Sequence, residues 1–154
     1  MKSIKTYVLG AVLFVLTASF VLAGGDTSSV ENKTYKVTMT ENKKGKSGKP
    51  MQEEITFKSG KFRSKLIKTE MGAEAIPIEL TKDSSWVEDN YDEMIYVEFE
   101  GEYTNKLDET VKVVGVIDGY GIEGNVELSK KGKVKRHFDF VGTQKEKKSK
   151  KKED

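Results

Sequence analysis

The sequence predicts an all-β domain: an antiparallel up-and-down meander of about eight or nine strands closing into a barrel, with a two-layer β-sandwich as the alternative. Three observations predict it. Apolar residues recur with a period of two, as in Tyr35, Val37 and Met39, in Ile55 and Phe57, and in Ile95, Val97 and Phe99. Hairpin dipeptides separate such stretches, Ser59-Gly60 and Asp118-Gly119 being the clearest. Beyond residue 23 no apolar spacing of i, i+3, i+4, i+7 is sustained for more than one turn, so almost no helix is expected there.

The chain opens on a different composition. Lys2 and Lys5 precede an apolar run from Tyr7 to Ala23, and Val21-Leu22-Ala23 before Gly24 has the pattern of a signal-peptidase site. Residues 1–23 therefore read as a helical signal peptide, a retained N-terminal anchor being the alternative, and the protein is expected to be extracytoplasmic (periplasmic or secreted) after cleavage near Ala23. No cysteine follows the run, which excludes a bacterial lipoprotein anchor. Residues 24–32 read as a flexible N-terminal segment, 33–143 as the β-barrel domain and 144–154 as a disordered Lys-rich tail. Asn32-Lys33-Thr34 is a glycosylation sequon that matters only in a eukaryotic secretory route.

Strands are expected near residues 33–40, 52–58, 61–68, 75–81, 84–89, 93–103, 110–117, 120–128 and 133–141. Ser59-Gly60 sets Phe57 opposite Phe62. Pro77 cannot donate to a ladder and belongs at an edge or bulge. With Asp118-Gly119 as a two-residue turn, Ile117 pairs with Tyr120, Gly115 with Ile122, Val113 with Gly124 and Val111 with Val126, which leaves Lys112, Glu123, Asn125 and Glu127 on the other face. A return through 129–133 sets Leu128 against Val134 and Gly124 against Phe138, where the missing side chain makes room for a ring.

The closing segment, Gly115-Val-Ile-Asp-Gly119-Tyr-Gly-Ile-Glu-Gly124-Asn-Val with Gly132-Lys and Phe138-Asp-Phe-Val-Gly142-Thr-Gln-Lys145, resembles the closing hairpins of small secreted bacterial proteins with lipocalin-like (calycin-type) β-barrels. The resemblance covers about a quarter of the chain and implies the barrel; the Gly-x-Trp that opens true lipocalins is missing, and Trp86 lies mid-chain.

Composition narrows the function. The 154 residues carry no Cys and one His, which removes disulfide frameworks, zinc ribbons, thiol nucleophiles and His-rich metal sites, so no enzyme activity, cofactor or metal is expected. The leader supplies the whole net charge of +2, and no nucleic-acid partner is expected of a neutral remainder. Within that remainder the tail has Lys145, Lys147, Lys148, Lys150, Lys151 and Lys152 against three acids, a basic appendage able to touch anionic surfaces. Gly45-Lys46-Ser47-Gly48-Lys49 lacks the earlier glycine of a phosphate loop, since Thr40 stands there, and reads as a mobile basic loop. Glu88, Asp89, Asp92 and Glu93 crowd one turn, where a solvated loop is the ordinary reading and a Ca²⁺ site the sharper one. His137 points outward beside Asp139, and Trp86 is a core plug or the wall of a pocket.

Two functions remain for an exported, non-enzymatic barrel. In the first, the interior binds a small apolar or amphipathic ligand lined by Phe57, Phe62, Trp86, Phe99, Tyr120, Ile122 and Phe138. In the second, these side chains fill the interior, and the protein is a cell-envelope or surface interaction module acting through its basic loop, acidic turn or tail. Oligomeric state is left open.

Overall fold

A computed structural model describes residues 27–90 and 92–146. The leader, most of the Lys-rich tail and Tyr91 lie outside the described residues. A 3-10 turn, Ser28–Val30, precedes nine strands: β1 (Thr34–Lys43), β2 (Lys46–Ser47), β3 (Met51–Phe57), β4 (Lys61–Ser64), β5 (Ile76–Val87), β6 (Glu93–Thr104), β7 (Thr110–Asp118), β8 (Gly121–Lys130) and β9 (Lys133–Gln144). Among the described residues one α-helix, α1 (Lys65–Met71), joins β4 to β5. All pairings are antiparallel, in the order β2-β1-β3-β4-β5-β6-β7-β8-β9, and β1 also pairs with β9, which closes a ring of hydrogen bonds.

The period of two decides which side chains face the centre. Tyr35, Val37 and Met39, Ile55 and Phe57, and Ile95, Val97 and Phe99 are buried, and they join Val111, Val113, Ile117, Ile122, Val126, Phe138 and Phe140 in one cluster. The tight turns follow the sequence chemistry. Lys44-Gly45, Ser59-Gly60 and Lys131-Gly132 each place two central residues at positive φ, the type I′ geometry that suits hairpin twist.

Several expectations are corrected. The strand expected over 61–68 stops at Ser64, whose hydroxyl accepts from Ile67 N–H as an N-cap, and α1 runs until Gly72 closes it in the left-handed region. The strands expected at 75–81 and 84–89 are one strand, bulged between Leu80 and Lys82. β1 extends to Lys43 and pairs with β2, so part of the basic loop is a hairpin. The segment expected to be flexible before residue 33 is held down at its end, because Val30 is buried and Glu31 accepts from Ser59 N–H and Gly60 N–H.

The last two hairpins are offset by two residues. Ile117 pairs with Ile122, Gly115 with Gly124, Val113 with Val126 and Val111 with Leu128. Gly124 then faces Phe140 rather than Phe138, and Leu128 faces Arg136. The cause is the turn: Gly119, at φ 57°, is the first central residue and Tyr120 the second, the arrangement of a type II′ turn, so Asp118 stays in the strand. An offset of two preserves the faces, so Val111, Val113, Ile117, Ile122 and Val126 are buried and Glu123 is exposed as expected, while Tyr120, expected on the inner face, moves into the turn and is exposed.

The two ends of the ring are closed differently. At one, α1 buries Ile67 and Met71. Arg136 ties it there, donating from Nε to Glu41 at 2.7 Å and from Nη1 to Glu70 at 2.6 Å. The buried Asn105 helps, donating to the carbonyl of Met71 while its Oδ1 accepts from Leu107 and Glu109 N–H. At the other end Val30 is buried, and the β5–β6 hairpin runs on past the ring.

Candidate interaction surface

The seven residues proposed as pocket lining separate into two groups. Phe57, Phe62, Phe99, Ile122 and Phe138 are buried. Phe57 is the hub, with ring centroids 5.9 Å from Tyr35, 5.9 Å from Phe62 and 5.1 Å from Phe99, all edge-to-face. Phe62 also meets Phe99 at 6.3 Å and Phe140 at 5.9 Å. Gly115 and Gly124 sit opposite each other and leave the space that Phe99 and Phe140 occupy. Phe138 packs beneath the guanidinium of Arg136.

Trp86 and Tyr120 are not part of this interior; they are 39% and 48% exposed. For Tyr120 the reason is its place in the type II′ turn. For Trp86 it is the bulge: Ile78 and Leu80 face inward with Phe99, but after the extra residue Lys82, Ser84 and Trp86 take the outer phase opposite Glu98, Tyr96 and Met94. The expectation of a Trp core plug is corrected accordingly.

These two aromatics mark a projecting ribbon. Every residue from 81 to 90 is exposed, on both faces of β5. The outer face is bound to its acids: Trp86 Nε1 donates to Glu88 Oε1 at 2.9 Å, Tyr96 Oη to Glu98 at 2.8 Å and Tyr120 Oη to Asp92 at 3.0 Å. Those bonds hold the phenol pKa of Tyr96 and of Tyr120 above its ordinary value. Lys82 lies 4.6 Å over the Tyr96 ring. The acidic turn is internally organised: Asn90 donates to Asp92 Oδ2 and accepts from Asp92 N–H, and Glu88 N–H donates to the Asp92 carbonyl. Among the described residues no group of three His, Cys, Asp or Glu side chains is placed to hold a metal ion.

On its inner side the ribbon borders a polar vestibule of about 650 Å³ at the mouth of the ring, between Ser28, Ser29, Glu31 and Lys33 on one wall and Asp83, Ser85, Glu93 and Ile95 on the other. A larger groove of about 840 Å³ lies outside β3 and β4 and mixes Lys36, Arg63, Lys65 and Lys68 with Glu53, Glu54 and Glu74. Its charges compensate locally, Lys68 with Glu74 at 2.9 Å and Glu54 with Lys145 at 2.7 Å, so it presents no single-sign field.

His137 stands on the outer face of β9, as its phase required. Nδ1 is 2.9 Å from Glu127 and Nε2 2.8 Å from Asp139, which also accepts from Asn42. Partial burial pulls the imidazole pKa down, but the two carboxylates outweigh it and the net shift is upward. Both ring nitrogens are committed to acceptors, an arrangement for an imidazolium that links two strands rather than for a base. Among the described residues no helix is long and apolar enough to cross a membrane. No family model, curated protein or solved structure matches the chain.

Proposed function

We propose that the protein is an exported lipocalin-like barrel with a filled interior. It acts without catalysis as a cell-envelope or surface interaction module through the β5–β6 ribbon and its acidic turn. The observation that carries this reading is the contrast between the two aromatic groups. Phe57, Phe62, Phe99 and Phe140 contact one another where a ligand would lie, while Trp86 and Tyr120 stand exposed among charges, the aromatic-with-polar-rim pattern of interface centres. The β1–β9 pairing supports a closed barrel over a two-sheet sandwich. The leader pattern and the absence of cysteine support export. Glu146, the last described residue, acts on the phenol of Tyr120, and the lysines that follow it in the sequence support an anionic-surface contact as a further part of this reading.

The test is photocrosslinking in host cells from two exposed valines, Val87 on the ribbon and Val134 at the opposite end of the ring. This reading expects adducts from Val87 that diminish with Trp86→Ala, and few from Val134. Equal yields from both positions, unaffected by Trp86→Ala, would overturn it.

A further inference from the structure

We infer that the free edge of β5 pairs, antiparallel, with the same edge of a second copy of the chain, about a two-fold axis through Ser85. The inference rests on the ribbon being the interaction surface and names its partner. β4 is only four residues long and pairs with β5 through Lys61–Pro77 and Phe62–Ile76 alone, with one further bond from Ile78 N–H to the Gly60 carbonyl. Among the described residues, the edge of β5 beyond Leu80 pairs with no strand and borders the vestibule.

The alternation of the antiparallel ladder says which groups are on that edge. Gly119 N–H donates to the Ile95 carbonyl, so Ile95 and Val97 direct their backbone toward β7, and Met94, Tyr96 and Glu98 direct theirs toward Trp86, Ser84 and Lys82. The N–H and C=O of Asp83, Ser85 and Val87 therefore point away from β6, and no backbone partner for them is found among the described residues. Such an edge is a template for another strand.

Register selects the partner. A two-fold axis perpendicular to the sheet pairs residues of equal parity, so it must pass through a residue. Through Asp83 it sets Asp83 against its own copy. Through Trp86 it sets Asp83 against Asp89. Through Ser84 it joins Lys82 to Trp86 and forms no ion pair. Through Ser85 it aligns Asp83 with Val87, Ser85 with itself and Ser84 with Trp86, and it brings Lys82 opposite Glu88 of the second copy, twice. This register makes the narrow, hydrogen-bonded pairs at all three outward-directed residues, and it alone adds opposite charges directly across the strands. Lys82 is held only by exposed contacts, a 3.8 Å pair with Glu98 and its place over the Tyr96 ring, which an ion pair with Glu88 of the second copy can replace. The contact is a short four-stranded sheet and belongs to the small, reversible class of interface.

Sedimentation velocity of the protein purified from its host tests the inference. A dimer fraction that grows with concentration into the high-micromolar range and falls with salt is expected. Ser85→Pro removes an outward N–H and leaves the β6 ladder intact, and should weaken association at least tenfold without moving the unfolding midpoint. Lys82→Glu and Glu88→Lys should each weaken it, and the double exchange should restore it. A monomer at every concentration up to about 1 mM, or a dimer indifferent to all these changes, overturns self-pairing. A monomer that still crosslinks another macromolecule through Val87 removes the self-pairing and keeps the interaction-module reading. An apolar probe that saturates inside the ring removes that reading instead.

Discussion

Alanine at Gly124 is the sharpest test of how the interior is packed. A Cβ built there lies 2.2 Å from the Val114 carbonyl oxygen, 2.6 Å from Phe140 Cζ and 2.7 Å from Gly115 Cα. Comfortable contacts begin at about 3.5 Å, so each gap must open by about 1 Å. The Phe140 ring has Phe62 5.9 Å away across the centre, and the Val114 carbonyl belongs to β7, whose paired backbone resists displacement. Overpacking of this kind costs about 1–3 kcal/mol. The lower freedom of alanine in the unfolded chain returns about 0.4–1 kcal/mol. The net expectation for Gly124→Ala is a loss of about 1–2 kcal/mol, a fall of roughly 4–10 °C in midpoint, read by urea and thermal unfolding. Glu123→Ala, exposed at the neighbouring outward position, should stay within about 0.5 kcal/mol. Equal losses at the two positions, or a more stable Gly124→Ala, would refute the packing argument.

Three further outcomes are expected. Tyr35 is fully buried with no partner for its hydroxyl among the described residues, and burial pushes its pKa up, so Tyr35→Phe should leave stability unchanged or raise it by about 1 kcal/mol; a clear loss in urea midpoint would mean that the hydroxyl is bonded. The His137 pKa is raised in the folded state, so the stability it contributes is complete below its ordinary value near 6.5 and fades as pH rises through the raised one. His137→Gln should flatten that limb, and an NMR titration of this one imidazole below its ordinary value would contradict the two-carboxylate clamp. Trp86→Ala should cost less than about 1 kcal/mol, because the indole is 39% exposed on the ribbon; a loss of several kcal/mol in denaturant unfolding would return Trp86 to the core.

Most of the strand pattern was legible because alternation and turn chemistry agree over the same residues. Phe57-Lys58-Ser59-Gly60-Lys61-Phe62 states its hairpin outright, and the structure pairs the two rings as expected. Asp118-Gly119-Tyr120-Gly121 supports two hairpins that differ by two residues, and what separates them is Asp118, which stays in the strand without the positive φ that a turn centred on Asp118-Gly119 requires. Helix α1 was missed because seven residues give too short a period; Ser64 and Gly72, bracketing Ile67 and Met71, were the available signal. The ribbon was harder. The phase of Trp86 depends on one extra residue near Thr81, and the open edge depends on the β3–β4 turn at Ser59-Gly60 falling opposite Ile78, both of which are long-range pairing outcomes that no local window contains.

A full ring leaves the ribbon as the surface that can act. Methyl NMR under xenon pressure tests the filling most directly, since xenon enters apolar voids. With the interior occupied by Phe57, Phe62, Phe99 and Phe140, the methyl resonances of Ile55, Ile117 and Ile122 should shift only slightly and linearly with pressure. Large, saturating shifts at those three isoleucines would reveal an apolar cavity and contradict the account.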